Sequence, residues 1–494
     1  MTAYTKLEDH FRRYLVLGQA EGVLHWDMST VMPSGGSETR AEQLAVLKTT
    51  RHALLTGPET ADLLESAAQV ELDDWQRANL SEMERQWRRA TALDEDLVEA
   101  LSRAESACEM AWRGARPAGD FAAVLPDLNV LVALVRETAA AKAEALGLDP
   151  YDALLDAYEP GGRQAEIDPL FEDLEAFLPE FLGRVLENQA RRPAPVLPPG
   201  PFPIAGQRAL AHEMMAALGF DFDHGRLDES RHPFCGGVPE DVRITTRYDE
   251  NDFTSSLMAV LHETGHALYE RGLPPAWRHQ PIGLARSMSI HESQSLLIEM
   301  QVCRSRPFLA FAAPLIGRAF GGAGEAWDED NLYRLLTRVE PGLIRVDADE
   351  VTYPAHVIVR YRLEKAIIGG TMEAADIPAA WNEGMKGLLG ITPPGDGDGC
   401  LQDIHWYDGA WGYFPTYTLG AIAAAQIFAA AKSADGTITT EIAKGDFKPL
   451  LAWLGDAIHA KGSVLPVPEL LTQATGRPLD AGVFKTHLED RYLA

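Results

Sequence analysis

The sequence predicts a mostly α-helical protein, a single large helical domain carrying one small antiparallel β-sheet. Three observations lead there. Apolar residues recur at three- and four-residue spacing between charges through most of residues 1–190, and again from Phe253 onward. Strand-like patterning is confined to two short segments, 220–227 and 242–248, each bounded by turn residues. The breaks between helical stretches carry turn chemistry: Met32-Pro33-Ser34-Gly35-Gly36, Gly57-Pro58 and Arg116-Pro117-Ala118-Gly119.

In chain order, helices are predicted over 38–55, 74–113 and 121–146. Residues 191–203 are rich in proline and form a surface loop within the domain, because helical patterning resumes over 205–218. The two strands follow. Helices return over 253–271, 283–304, 328–339, 349–368 and 377–388. Residues 395–416, rich in glycine and aromatics, read as an ordered loop, and helices finish the chain. The single domain, 1–494, thus has an N-terminal helical part to about residue 200 and a second part from about 201 that holds the chemistry-bearing motifs.

Of the 494 residues 46% are hydrophobic and 24% charged, which suits a globular protein with a substantial core. Acidic residues outnumber basic ones 73 to 44, a formal charge of -29. Such a chain is repelled by phosphate backbones and anionic lipid, so nucleic-acid and membrane partners are not expected. Cys108, Cys235, Cys303 and Cys400 are far apart and form no C-x-x-C pair, which argues against a thiolate metal knuckle and fits a reducing cytoplasm. The first residues, MTAYTKLEDHFRRYLVLGQ, lack the apolar core of a secretion signal, and a cytoplasmic location is expected.

The chemistry concentrates at residues 261–268, LHETGHAL. His262 and His266 are four apart, so on a helix their imidazoles share a face and can grip one ion. Glu263 lies beside the first histidine, placed to take a proton from water activated by that ion. Gly265 costs a helix roughly 1 kcal/mol against alanine, which makes sense if something approaches the helix closely there. A catalytic zinc site wants three protein ligands, and the segment Ser289-Ile290-His291-Glu292-Ser293-Gln294 offers Glu292 as the third. His291, adjacent to it, points about 100° away on a helix and either supports the site or packs in the core. Glu299, on the same helical face as Glu292, is an alternative ligand or an acceptor that orients a histidine.

These residues resemble the M32 metallocarboxypeptidases, of the carboxypeptidase Taq type. The likeness extends through VLHWDMSTVMPSGGSETRAEQ, YDALLDAYEPG, His232-Pro233-Phe234, DVRITTRY, IRVDADEVTY, LQDIHW and GYFPTY, in order along the chain. It implies release of single residues from the C-terminal ends of peptides, with broad side-chain tolerance. It also implies a helical fold with a deep active-site groove, a homodimer, a zinc or cobalt ion, and Glu292 as its third ligand.

A carboxypeptidase must bind a terminal carboxylate, and a bidentate arginine suits it best. Arg345 is the first candidate, then Arg360, with Arg243 and Arg247 in family-like segments too. Arg360 also has Glu364 at i+4, the ordinary spacing of a structural ion pair. His405 is a candidate donor to substrate, with a satisfied core histidine as the plainer reading. Tyr413 or Tyr417 is a candidate to stabilise the tetrahedral intermediate, and His232 to shape the groove. Asp349 and Glu350 are candidate buttresses for the metal-binding histidines, with helix capping equally open to Asp349. Two rival readings are a zinc oligopeptidase or endopeptidase on a similar scaffold and an inactive peptide-binding homologue.

Overall fold

The computed structural model describes residues 2–494. Its described residues form twenty α-helices and one three-stranded sheet, the mostly helical class expected. No helix among them is long and apolar enough to cross a membrane. Predicted helices at 38–55, 121–146 and 253–271 correspond to Ser37–Thr56, Phe121–Leu146 and Phe253–Gly272. The helix predicted over 74–113 is two, Asp74–Thr91 and Glu95–Ala118. Asp94 divides them by capping: its carboxylate accepts the Leu97 amide at 2.8 Å.

The chain gathers into two compact units, neither continuous in sequence. One takes the N-terminal residues through Ala90, then Ala194–Thr337 and Ala423–Leu479. The other takes Thr91–Pro193, Arg338–Ile422 and Asp480–Ala494. Both units draw on residues from either side of residue 200. Buried polar contacts explain why the first 90 residues join the metal helix's unit. Asn79, fully buried, donates to the Tyr4 hydroxyl at 3.0 Å and to Gln280 Oε1 at 3.1 Å, and accepts the Ile282 amide at 3.2 Å. Arg286 adds an ion pair to Glu82 at 2.5 Å. These contacts fix the segment that leads into the helix bearing Glu292.

The sheet belongs to the same unit. Its strands are β1 (Gly225–Glu229), β2 (Cys235–Val238) and β3 (Asp241–Thr246), in the order β1-β3-β2. β2 pairs antiparallel with β3, but β1 pairs parallel with it, so the sheet is mixed and not purely antiparallel as expected. The cause is the intervening strand, Cys235-Gly236-Gly237-Val238. It carries too little β-propensity to stand out in sequence, and it reverses the chain once between β1 and β3. A tight turn at Pro239-Glu240 joins β2 to β3. Gly237 adopts φ 93°, where an added Cβ would lie 2.1 Å from the Asp241 carbonyl oxygen. Val242 and Ile244 alternate onto one face and pack with Val260 and Ala267 of the Phe253–Gly272 helix.

The second unit centres on the helix Tyr353–Ile368, which is buried on nearly every side. It begins later than the predicted 349–368 because Asp349 holds a turn ahead of it: Asp349 Oδ1 accepts the amides of Val351 at 2.9 Å and Thr352 at 3.0 Å.

Candidate metal centre

Asp252 opens the Phe253–Gly272 helix, its carboxylate accepting the Thr254 amide at 2.9 Å. His262 and His266 stand one turn apart on it, with ring centres 5.0 Å apart. Glu292 comes from the helix Met288–Leu296, opened by Ser287, whose hydroxyl accepts the Ile290 amide at 3.2 Å. Gly265 is where the two helices meet. A Cβ there would fall 2.6 Å from both the Gln294 carbonyl oxygen and Ser295 Cα. The helix-weakening glycine is thus a packing requirement, and the contact it allows sets Glu292 opposite both imidazoles.

Glu292 Oε2 lies 3.5 Å from His266 Nε2 and 3.9 Å from His262 Nε2. One donor atom from each of the three residues lies within 4.8 Å of the others. Tetrahedral coordination at zinc distances separates ligand atoms by about 3.4 Å, so small adjustments fit these donors to one ion. Behind the donors, His262 Nδ1 is 3.0 Å from Glu299 Oε2, and Arg304 holds the other Glu299 oxygen at 2.6 Å. His266 Nδ1 is 2.7 Å from His291 Nδ1, and His291 Nε2 is 2.8 Å from Glu270 Oε1. Glu299 therefore sits behind a histidine in this structure, not beside it as a third donor.

The charge pattern also fits a cation. Glu263, Glu292 and Glu299 are all buried. Burial opposes charging His262, yet Glu292 and the hydrogen-bonded Glu299 outweigh it and push this imidazole up to about 10. A proton thus satisfies the same carboxylates that would face a metal. Burial drives His266 far below the usual imidazole range and keeps it a neutral donor. Burial pushes Glu263 up to about 7, against the pull of His262. Glu299 stays low, because Arg304 and His262 outweigh its burial.

Of the candidates for substrate contact, three lie in this unit, and Arg247, just after β3, is exposed. Arg243, on β3, sends its fork to Asp241 at 2.9 and 2.6 Å and lies 4.5 Å from the Trp26 ring. His232 is exposed in the link between β1 and β2, where its carbonyl accepts the Ser230 hydroxyl at 2.5 Å.

The other candidates gather in the second unit as a buried ionic network. Arg345 donates from Nε and Nη2 to one oxygen of Asp403, at 3.1 and 2.7 Å. Arg360, fully buried, donates to the other at 2.6 Å. Burial works against a charged Asp403, but the two guanidiniums outweigh it and hold the carboxyl far below its usual range. Arg360 therefore pairs with Asp403, not with the Glu364 that its spacing suggested. Glu364 instead accepts from the Tyr151 hydroxyl at 2.7 Å and Trp406 Nε1 at 3.0 Å. His405 Nε2 meets the Tyr417 hydroxyl at 3.0 Å, while the Tyr413 ring packs edge-on against Tyr158. Asp349 holds the turn before a helix, and Glu350 binds His487 at 2.9 Å and Arg491 at 3.0 Å. The buttresses of the metal-site histidines are thus Glu299 and His291, in place of these two.

Sequence reasoning passed over Glu270 and Arg304. Glu270 had a signal, standing at i+4 from His266 on the same helical face. Arg304 had none: it is five residues beyond Glu299, and only the π-helical stretch Leu297–Cys303 makes that a neighbouring position.

Comparison with known proteins now adds to the geometry. A family model for the carboxypeptidase Taq (M32) metallopeptidases matches residues 6–492. Thermostable carboxypeptidase 1 of Thermus thermophilus is 40% identical, across 100% of this chain and 98% of its own. The protein of the same name from Pyrococcus furiosus is 35% identical, across 98% and 97%. The solved structure of Trypanosoma cruzi metallocarboxypeptidase 1 superposes with a TM-score of 0.97 at 42% identity, covering 100% of this chain and 99% of that one.

Proposed function

The chain belongs to the carboxypeptidase Taq (M32) metallopeptidase family and is a metallocarboxypeptidase; from that premise we propose that it releases single C-terminal residues from peptides with zinc held by His262, His266 and Glu292 and with Glu263 as general base. The observation that carries this reading is the convergence of two imidazoles and one carboxylate within 4.8 Å, beside a buried glutamate that follows the first histidine. Two nitrogens and one carboxylate oxygen are a donor set of zinc hydrolases, and cobalt takes the same donors. A metal held there supplies the Lewis acidity that makes water nucleophilic and polarises the peptide carbonyl.

The chain's own residues do the rest. Glu263 accepts the proton of the attacking water and passes it to the departing amine. Burial gives its carboxylate the proton affinity this requires, since the charged form is poorly solvated. His266 remains neutral and His262 turns its Nδ1 to Glu299, so each ring can present Nε2 as a donor.

The test is metal analysis of the purified protein combined with mass spectrometry of digested peptides. Expected are zinc in the preparation and a ladder of single-residue losses from a free C-terminus, with the amidated peptide spared. Attack on the amidated peptide at full rate would make the protein an endopeptidase. E263Q is expected to lower kcat by roughly 10²–10⁴ with metal content unchanged. Survival of full activity in E263Q would remove Glu263 from its role.

A further inference from the structure

His291 and Glu270 lie outside the three donors and the base. His291 presents Nδ1 to His266 Nδ1 at 2.7 Å and Nε2 to Glu270 Oε1 at 2.8 Å. Glu270 is four residues after His266 on the same helix, so the metal helix supplies both ends of this chain of contacts and His291 bridges them from the neighbouring helix.

The hydrogen count allows one arrangement when the ring is neutral. An ionised carboxylate only accepts, so His291 must carry its proton on Nε2. Its Nδ1 is then bare and can only accept in turn. His266 must therefore carry its proton on Nδ1, which leaves Nε2 bare toward Glu292. The opposite tautomer would place a proton on Nε2, where it blocks coordination.

We propose that Glu270 and His291 are positioning residues that set the tautomer of His266, so that its Nε2 is the available metal donor. His262 needs no such relay, because Glu299 faces its Nδ1 directly and is itself fixed by Arg304. The two histidines thus reach the same donor state by unlike supports: a carboxylate in direct contact for one, an imidazole backed by a carboxylate for the other. The inference rests on the metal-site reading above, and its test separates the two.

The test measures zinc affinity by competition with a chelator for the wild type, E270A, H291F and H262A. Glu270 is near the end of its helix and alanine is a good helix former, so E270A keeps the fold. H291F puts an aromatic ring without nitrogens in place of the imidazole. Expected is a 10–100-fold loss of zinc affinity in both E270A and H291F, the range typical of losing a partner that orients a ligand. Nitrogen-15 imidazole spectra of the metal-free protein should show His266 protonated on Nδ1 in the wild type and a mixture of tautomers in E270A. Zinc affinity in E270A within twofold of the wild type, or an unchanged His266 spectrum, overturns the relay. Failure of the metal site itself looks different: the wild type would bind zinc no better than H262A.

Discussion

At the scale of single residues, two buried helix positions show different demands of a packed interior. Gly265 is required by a neighbour's backbone, 2.6 Å from where a Cβ would stand. Alanine there would gain about 1 kcal/mol of helix propensity. Displacing a backbone in a packed interior costs typically 1–3 kcal/mol. G265A should therefore lose stability in denaturant unfolding and bind zinc more weakly. A more stable G265A with unchanged zinc affinity would mean the helices do not touch there. Glu364, in contrast, is held where solvent cannot reach it, and burial pushes it up to about 7 despite hydrogen bonds from Tyr151 and Trp406. A carboxyl raised in the folded state costs nothing below its unfolded value. Its stabilising proton is lost as pH rises through 7. The cost of charging it then reaches about 3 kcal/mol. E364Q keeps an acceptor and cannot ionise. Urea unfolding at pH 4.5 and pH 8 should show the variant gaining by about that amount relative to the wild type at the higher pH. A gap independent of pH would show that Glu364 does not carry this cost.

At the scale of elements, side chains that accept backbone amides, and turn widths, decide boundaries that periodicity leaves loose. Asp94 splits one predicted helix into two, and Asp349 delays another. The π-helical stretch Leu297–Cys303 changes the phase behind Glu292 and brings Arg304 round to Glu299. The C-terminal helix Ala481–Tyr492 is fastened by one buried carboxylate: Glu350 binds His487, Arg491 and the Tyr492 hydroxyl at 2.9, 3.0 and 3.1 Å. Removing one partner of a buried charged group costs roughly 3–5 kcal/mol. E350A should therefore loosen this helix and speed proteolysis at the C-terminus. Cleavage there at the wild-type rate would show that apolar packing holds the helix without Glu350.

At the scale of the whole molecule, each compact unit is assembled from three separate stretches of chain. The metal donors come from the middle stretch of one unit, but their approach segment is held by Asn79 and Glu82 from its first stretch. The candidates for substrate contact divide accordingly: Arg243, Arg247 and His232 accompany the metal helix, while Arg345, Arg360, His405, Tyr413 and Tyr417 belong to the other unit. The formal charge of -29 is spread over a chain that still buries three carboxylates, Glu263, Glu292 and Glu299, around two imidazole-bearing helices and holds Asp403 between two arginines. Net charge describes the surface. It does not predict where the charges that matter are buried.

The sequence alone determined the helical class, the helix that bears His262 and His266, and a reason for Gly265, because all three are local: a periodicity, an i+4 spacing and an anomalous residue. It also singled out Glu292, whose helix is short and well capped. Tertiary structure alone decided the rest. It showed which carboxylates stand behind which imidazoles, that Arg345 and Arg360 share Asp403, and that a third strand turns the sheet into a mixed one. Those outcomes depend on side chains far apart in sequence meeting in a low-dielectric interior, where each buried charge takes the partner that packing brings within reach.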